Sequence, residues 1–126
     1  MENPDIEMFA AKLVQLVRDQ AIHDCYIDIS PQAKAPESMR DKSILANSNL
    51  DDVKKYLIPR WVDAAIFCLL DAIDNQHIKL LYVTDDGRTV DLNDEGMWEM
   101  AGRYIEDNEE GWRVKYSKEA VERRVR

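Results

Sequence analysis

The chain has 126 residues, with 17 Lys and Arg against 25 Asp and Glu, for a formal net charge of −8. One domain is the natural count at this length, and its core is large enough to fold without a disulfide or metal staple. A hydrophobic share of 45% excludes a disordered chain, and the acidic balance excludes a binder of free polyanions, which needs clustered Lys and Arg.

Asn3 before Pro4 is a helix start, because Asn caps and Pro tolerates the first helical position. Ile6, Phe9, Ala10, Leu13, Leu16, Val17 and Gln20 follow at spacings of three and four, which predicts one apolar stripe. Cys25 to Ile29 reads as a short strand. Pro31 and Pro36 then mark residues 30–47 as a loop. Ser48 or Asn49 caps a helix from Leu50, and Pro59 is expected to end or kink it near Leu57 and to open the next. That next helix, Arg60 to Asn75, is apolar nearly all round, with Asp63, Asp71 and Asp74 as its polar stripe. Such a helix belongs in the centre of a core or against a partner.

Asp86-Gly87 between two β-rich runs predicts a two-residue hairpin turn. It would pair Val83 with Val90 and Leu81 with Leu92 on one buried face, leaving Ile78, Leu80 and Tyr82 on the other. Asn93 or Asp94 then caps a helix with Met97, Met100, Ala101, Tyr104 and Ile105 inward. Trp112, Val114 and Tyr116 alternate with Arg113 and Lys115 as a third strand, and Ser117 opens a short basic helix over 117–126. The expected fold is a single α+β domain, 1–126, with helices packed on a small antiparallel sheet: the hairpin 77–92 plus a strand near 112–116.

The acidic N-terminus lacks the basic and apolar regions of a signal peptide. The longest apolar run, Ala64 to Leu70, is far short of the ~20 residues of a membrane span. Cys25 and Cys68 read as reduced, buried apolar thiols, so cytoplasm is the expected compartment. Neither a membrane nor a nucleic-acid partner is expected.

The charge is unevenly placed. Residues 1–62 carry a net −2, residues 63–110 hold thirteen acids against three bases for −10, and residues 111–126 carry +4. Concentrated charge of one sign steers a partner of the other.

Catalytic patterns are weaker. Asp91, Asn93, Glu95 and Gly96 fit positions 1, 3, 5 and 6 of a calcium loop, but position 12 is Gly102 where a bidentate Glu is required. His23 and Cys25 would share one face of a strand, as a nucleophile and base must, yet no oxyanion-type turn accompanies them. Asp52-Val53-Lys54 has a nuclease-like D-x-K shape at the start of a helix, where such carboxylates are normally on a strand. Asp63, Asp71 and Asp74 share a helix face as the alternative site, that of a metal-dependent hydrolase. No cofactor is expected.

The leading expectation is therefore a non-enzymatic module that neutralises or escorts a basic protein through Asp85, Asp86, Asp91, Asp94, Glu95, Trp98, Glu99 and Glu106. Trp98, rimmed by Glu95 and Glu99, is its anchor. A homodimer that buries Ile78, Leu80 and Tyr82 is a further alternative. In its general profile the chain is similar to bacterial immunity proteins and secretion chaperones, a likeness of properties that rests on no motif.

Overall fold

The protein, described over residues 3–118 by a computed structural model, is built around two long runs of helix that each contain one wide turn. Asn3 caps α1 (Pro4–Lys12) by accepting from the N–H groups of Asp5 and Ile6. The chain passes through a π-helical turn, Leu13–Arg18, into α2 (Asp19–Asp28) without leaving helical backbone. A π-turn inserts one residue and shifts the phase of everything after it. The inward positions Ile6, Ala10, Leu13 and Val14 are therefore followed by Arg18, Asp19 and Ile22. Leu16 and Val17, expected on the apolar stripe, face solvent.

The second run repeats the device. Asn49 caps α4 (Leu50–Asp52), a π-turn spans Val53–Leu57, and α5 covers Ile58–Asp74. Pro59 has no N–H to return to the preceding turn, and the hydrogen bond beside it lengthens to Ile58 N–H on the Val53 carbonyl. The helix continues, with Val53 and Ile58 as successive buried positions. Trp61, Cys68 and Leu69 are exposed, so α5 has a solvent side and is not wrapped on all faces.

Several local expectations are corrected. Cys25–Asp28 is helical with Ile29 as the C-cap, because the shifted phase turns Ile22, Tyr26 and Ile29 inward at helical spacing. Residues 30–47 are not all loop: Pro36 opens α3 (Pro36–Ile44) at its first turn. The expected strand near 112–116 is α8 (Trp112–Tyr116), whose Trp112, Arg113 and Tyr116 meet the rest of the fold at spacings of one and three. A five-residue alternation is too short to separate the two periods. Cys25 and Cys68 are both exposed. Of the basic helix expected over 117–126, residues 119–126 lie outside the described residues.

The hairpin of β1 (Leu81–Val83) and β2 (Thr89–Asp91) is one residue out of the expected register. Leu81 pairs with Asp91, Tyr82 with Val90 and Val83 with Thr89. Thr84 N–H bonds the Arg88 carbonyl and Gly87 N–H bonds the Thr84 carbonyl, so the loop has three residues, Asp85-Asp86-Gly87. Gly87 sits at φ 86°, as the left-handed position of a three-residue hairpin loop demands. One residue of slip reverses every side chain of a strand. Tyr82 and Leu80 thus pack inward with Val90 and Leu92, and Leu81 and Val83 are exposed.

Two apolar clusters result. The larger joins α1, α5, the hairpin, α6 (Leu92–Glu95), α7 (Met100–Ile105) and α8; the smaller joins Ile22 and Ile29 of the first run to Val53 and Ile58 of the second. Polar side chains lie between helices at three places. Asn93 accepts from Leu80 N–H and donates to the carbonyls of Ile73 and Ile78, tying the hairpin to the end of α5. Glu7 on α1 accepts from Arg103, Lys115 and Tyr116.

The third place is Asp63, buried on α5. One carboxylate oxygen accepts from Arg18 Nε (2.8 Å) and the Tyr104 hydroxyl (2.7 Å), and the other from Arg113 Nη1 (2.9 Å). Arg18 continues to Asp19 (3.0 Å), whose carboxylate also accepts from the Ser117 hydroxyl and Lys118 N–H. Arg113 continues to Asp107 (3.0 Å) and to the carbonyls of Tyr104 and Ile105. A lone buried charge costs far more than a paired one. The two guanidiniums are therefore held inside by the carboxylates around them.

Asp63→Ala is expected to destabilise the protein by about 3–5 kcal/mol, because it leaves two buried guanidiniums short of a counter-charge. Chemical denaturation reads this directly, and a loss below about 1 kcal/mol would reduce the cluster to the rank of a surface ion pair. Glu7 carries a pH signature. Burial pushes its carboxyl up, but the bonds from Tyr116 and Lys115 and the charge of Arg103 outweigh that and hold it below its ordinary 4.5. A carboxyl depressed in the folded state adds stability above its ordinary value and loses it as the pH falls through the folded one. Glu7→Gln should lower the thermal midpoint at neutral pH and converge with the parent protein in strong acid.

Candidate functional site

The segment after the hairpin was expected to be one helix carrying Met97 inward. It is two short helices separated by a turn. Asp91, rather than Asn93 or Asp94, caps α6 by accepting from Asn93 and Asp94 N–H. Its position is set from behind, by the inward bonds of Asn93. α7 is set from the other side. Asp74 at the end of α5 accepts from Met100 N–H (3.3 Å) and Ala101 N–H (2.8 Å), satisfying donors that the first turn of a helix leaves open. Burial pushes the Asp74 carboxyl above its usual range in spite of these two bonds.

Between these fixed ends Met97 and Trp98 are both left-handed, at φ 56° and 60°. Each such residue with a side chain costs of order 1–2 kcal/mol. The close approach of the helices explains why the chain accepts the cost. Gly96 is packed so tightly that a Cβ on it would lie 2.6 Å from the Leu92 carbonyl oxygen and 2.8 Å from the Met100 sulfur. The chain passes from Gly96 to α7 through an outward turn. Met97 and Trp98 stand 64% and 71% exposed at its tip.

The acidic residues divide around this turn. Asp94, Glu95 and Glu99 flank it in sequence and are exposed. Among the described residues the side chains of Asp94 and Glu99 have no ion-pair partner, and Glu95 accepts from Asn3 Nδ2 (2.6 Å). The hairpin acids are already engaged: Asp85 with Lys12, Asp86 with Arg88 and Thr84, and Asp91 with Lys79 (3.4 Å). Arg88 also makes a two-point bond with Asp5 (2.8 and 2.9 Å), so the start of α1 links the hairpin loop to Glu95. Glu106 lies past α7 and accepts from Asn108. The sheet face expected to bury a homodimer is not available, since Leu80 and Tyr82 pack on the core.

The other candidate sites come apart. Asp63 is enclosed by Arg18, Arg113 and Tyr104, Asp74 bonds the start of α7, and only Asp71 of the three is exposed. No group of three potential metal-ligating side chains occurs among the described residues. Asn93 and Asp91 of the calcium-like loop are committed to the core and to a helix cap. His23 and Cys25 lie two apart on a helix, where successive side chains diverge, and not on one strand face. Burial and the nearby Asp28 and Asp24 push the Cys25 thiol up, away from a nucleophilic thiolate. No helix among the described residues is long and apolar enough to cross a membrane. Comparison with known protein families, curated proteins and solved structures returns no match to this chain.

The left-handed pair was not signalled by its residue types, since neither Met nor Trp favours that conformation and Gly96 sits one place too early. Met97→Gly and Trp98→Gly are each expected to leave the protein as stable as before or up to about 1 kcal/mol more stable, because glycine relieves the strain and little packing is lost. The denaturation midpoint checks this, and a clear loss would show that the exposed side chains hold the turn together.

Proposed function

We propose that the protein is a non-enzymatic binding module that neutralises or escorts a basic protein, docking it on the Met97–Trp98 turn. The observation that carries this reading is the strained exposure of two large apolar side chains between fixed helices. Strain of this kind persists where the surroundings over-determine it, and it concentrates at binding sites. Trp is also the residue most enriched among energetic anchors of interfaces.

The chemistry of the surround selects the partner. Asp94, Glu95 and Glu99 flank Trp98 in sequence and are exposed, so a basic partner whose Lys or Arg lies on the ring face gains a cation–π contact with negative charge close along the chain. The hairpin acids, neutralised in part by Lys12, Arg88 and Lys79, contribute the wider field that guides approach. Rim charges of that kind act on the association rate and its salt dependence, and the central Trp on the lifetime of the complex.

The test is capture from a native lysate at low and high salt, compared among the parent protein, Trp98→Ala and the triple variant Asp86→Asn, Glu95→Gln, Glu99→Gln. Basic proteins should be retained by the parent at low salt. Their affinity should drop about tenfold or more with Trp98→Ala, and lose its salt dependence in the triple variant. If both variants retain the same proteins at the same salt, this surface is not the site.

A further inference from the structure

A recess lies at the smaller apolar cluster, and none of the residues of the Trp98 turn lines it. Its volume is about 280 Å³, and it opens between α2, α3 and the start of α5. Ile29, Ile44, Leu45, Val53, Ile58 and Trp61 form its apolar walls. Ile44 and Trp61, at 74% and 59% exposure, stand at solvent with nothing over them among the described residues. A recess of this size suits a small molecule rather than a helix.

Its polar lining has one sign. The two charged residues that line it are Asp28 and Asp41, and no basic side chain does. Their carboxyls are near enough for each to act on the other's ionisation, so two negative groups face the same recess. The Ser38 hydroxyl also donates to Asp28 (2.7 Å), and the Lys42 ammonium, whose charge acts on Asp28, is bound to the carbonyls of Ser30 and Ala33. Glu37 and Arg40 act on Asp41 with opposite charges. The bond to Asp28, and then burial, hold the Asp41 carboxyl above the usual range, while Ser38 and Asp41 hold Asp28 below it.

We propose that this recess binds a small organic ammonium ion with an apolar tail, the ammonium seated between Asp28 and Asp41 and the tail on Ile29, Val53, Ile58 and Trp61. Two carboxyls side by side with no basic residue among the lining are electrostatically a site for a cation, and an ammonium supplies three donors to their oxygens. The apolar walls then contribute for each methylene covered. A neutral ligand would leave the pair as it is, and an anion would be repelled by Asp28.

Cys25 lies in the recess and Cys68 is exposed elsewhere on α5, so the protein carries its own probe and its own control. The rate at which a thiol reagent modifies Cys25 is measured with hexylammonium, 1-hexanol or hexanoate present, and Cys68 is followed in the same sample. Hexylammonium should protect Cys25 selectively. Protection by 1-hexanol should need about tenfold more ligand, the difference that one charge-assisted bond supports, and hexanoate should not protect. In Asp28→Asn, Asp41→Asn the advantage of hexylammonium over 1-hexanol should disappear, with the helical circular-dichroism signal retained. Equal protection by hexylammonium and 1-hexanol in the parent protein, equal slowing of Cys25 and Cys68, or no protection at all would each overturn the proposal.

Discussion

The Asp63 carboxylate decides how the helices of this protein meet. It is the point at which Arg18 from the first helical run, Arg113 from α8 and Tyr104 from α7 converge on α5. Val62, next to Asp63 in the chain, packs against both the larger and the smaller apolar cluster. Apolar contacts are tolerant of sliding, and a buried ion cluster is not: a shift of one residue in either helix would strand a charge without its partner. The network thus supplies register more than net stability, since its desolvation cost offsets much of its attraction.

That role accounts for the π-turn in the first run. A regular helix continuing from Val14 would turn Val17 inward, which is the more apolar and at first sight the better solution. The inserted residue instead brings Arg18 and Asp19 to the seam and leaves Leu16 and Val17 in water. The gain is the set of bonds that reach Asp63, Ser117 and the Lys118 backbone, which tie three parts of the chain that are far apart in sequence. In the second run the cause is local, because Pro59 cannot complete the ordinary ladder.

This is where the sequence stops being legible. The caps at Asn3 and Asn49, the α1 start, the central α5 and the presence of a hairpin all follow from residue types acting over three or four positions. The wide turns do not, since a one-residue insertion leaves composition unchanged and only re-phases the pattern after it. The failure at Cys25–Ile29 descends directly from that phase change. The hairpin register failed for a related reason: Asp86-Gly87 marks a loop but does not say whether it holds two residues or three, and the alternation of Leu81, Val83, Val90 and Leu92 looked as good as the true set. Asn93 decided between them, because its inward bonds to the end of α5 hold Leu80 and Leu92 on the core side. A buried Asn bonded to Leu80, Ile73, Ile78 and Gln76 has no periodic signature. Of the candidate surface, the charge of residues 63–110 was legible, and its division into engaged hairpin acids and freer acids around Trp98 was not.

The same constraint that hides the Met97–Trp98 turn from sequence reasoning explains its fitness as a contact. An exposed Trp on a mobile loop must lose its freedom on binding, at about 0.5–1.5 kcal/mol for an ordered side chain and more for the backbone. Here the backbone has little freedom to lose. Asp74 bonds the start of α7, Asn93 anchors α6, and Gly96 is packed against the Leu92 carbonyl and the Met100 side chain, so both ends of the turn are held by the core. The cost of holding Trp98 outward has been met in folding, by bonds that lie in the core. An apolar side chain presented on such a support differs from the isolated exposed hydrophobics found on any surface, such as Leu16 here, whose exposure follows from the phase of its helix and needs no partner to explain it.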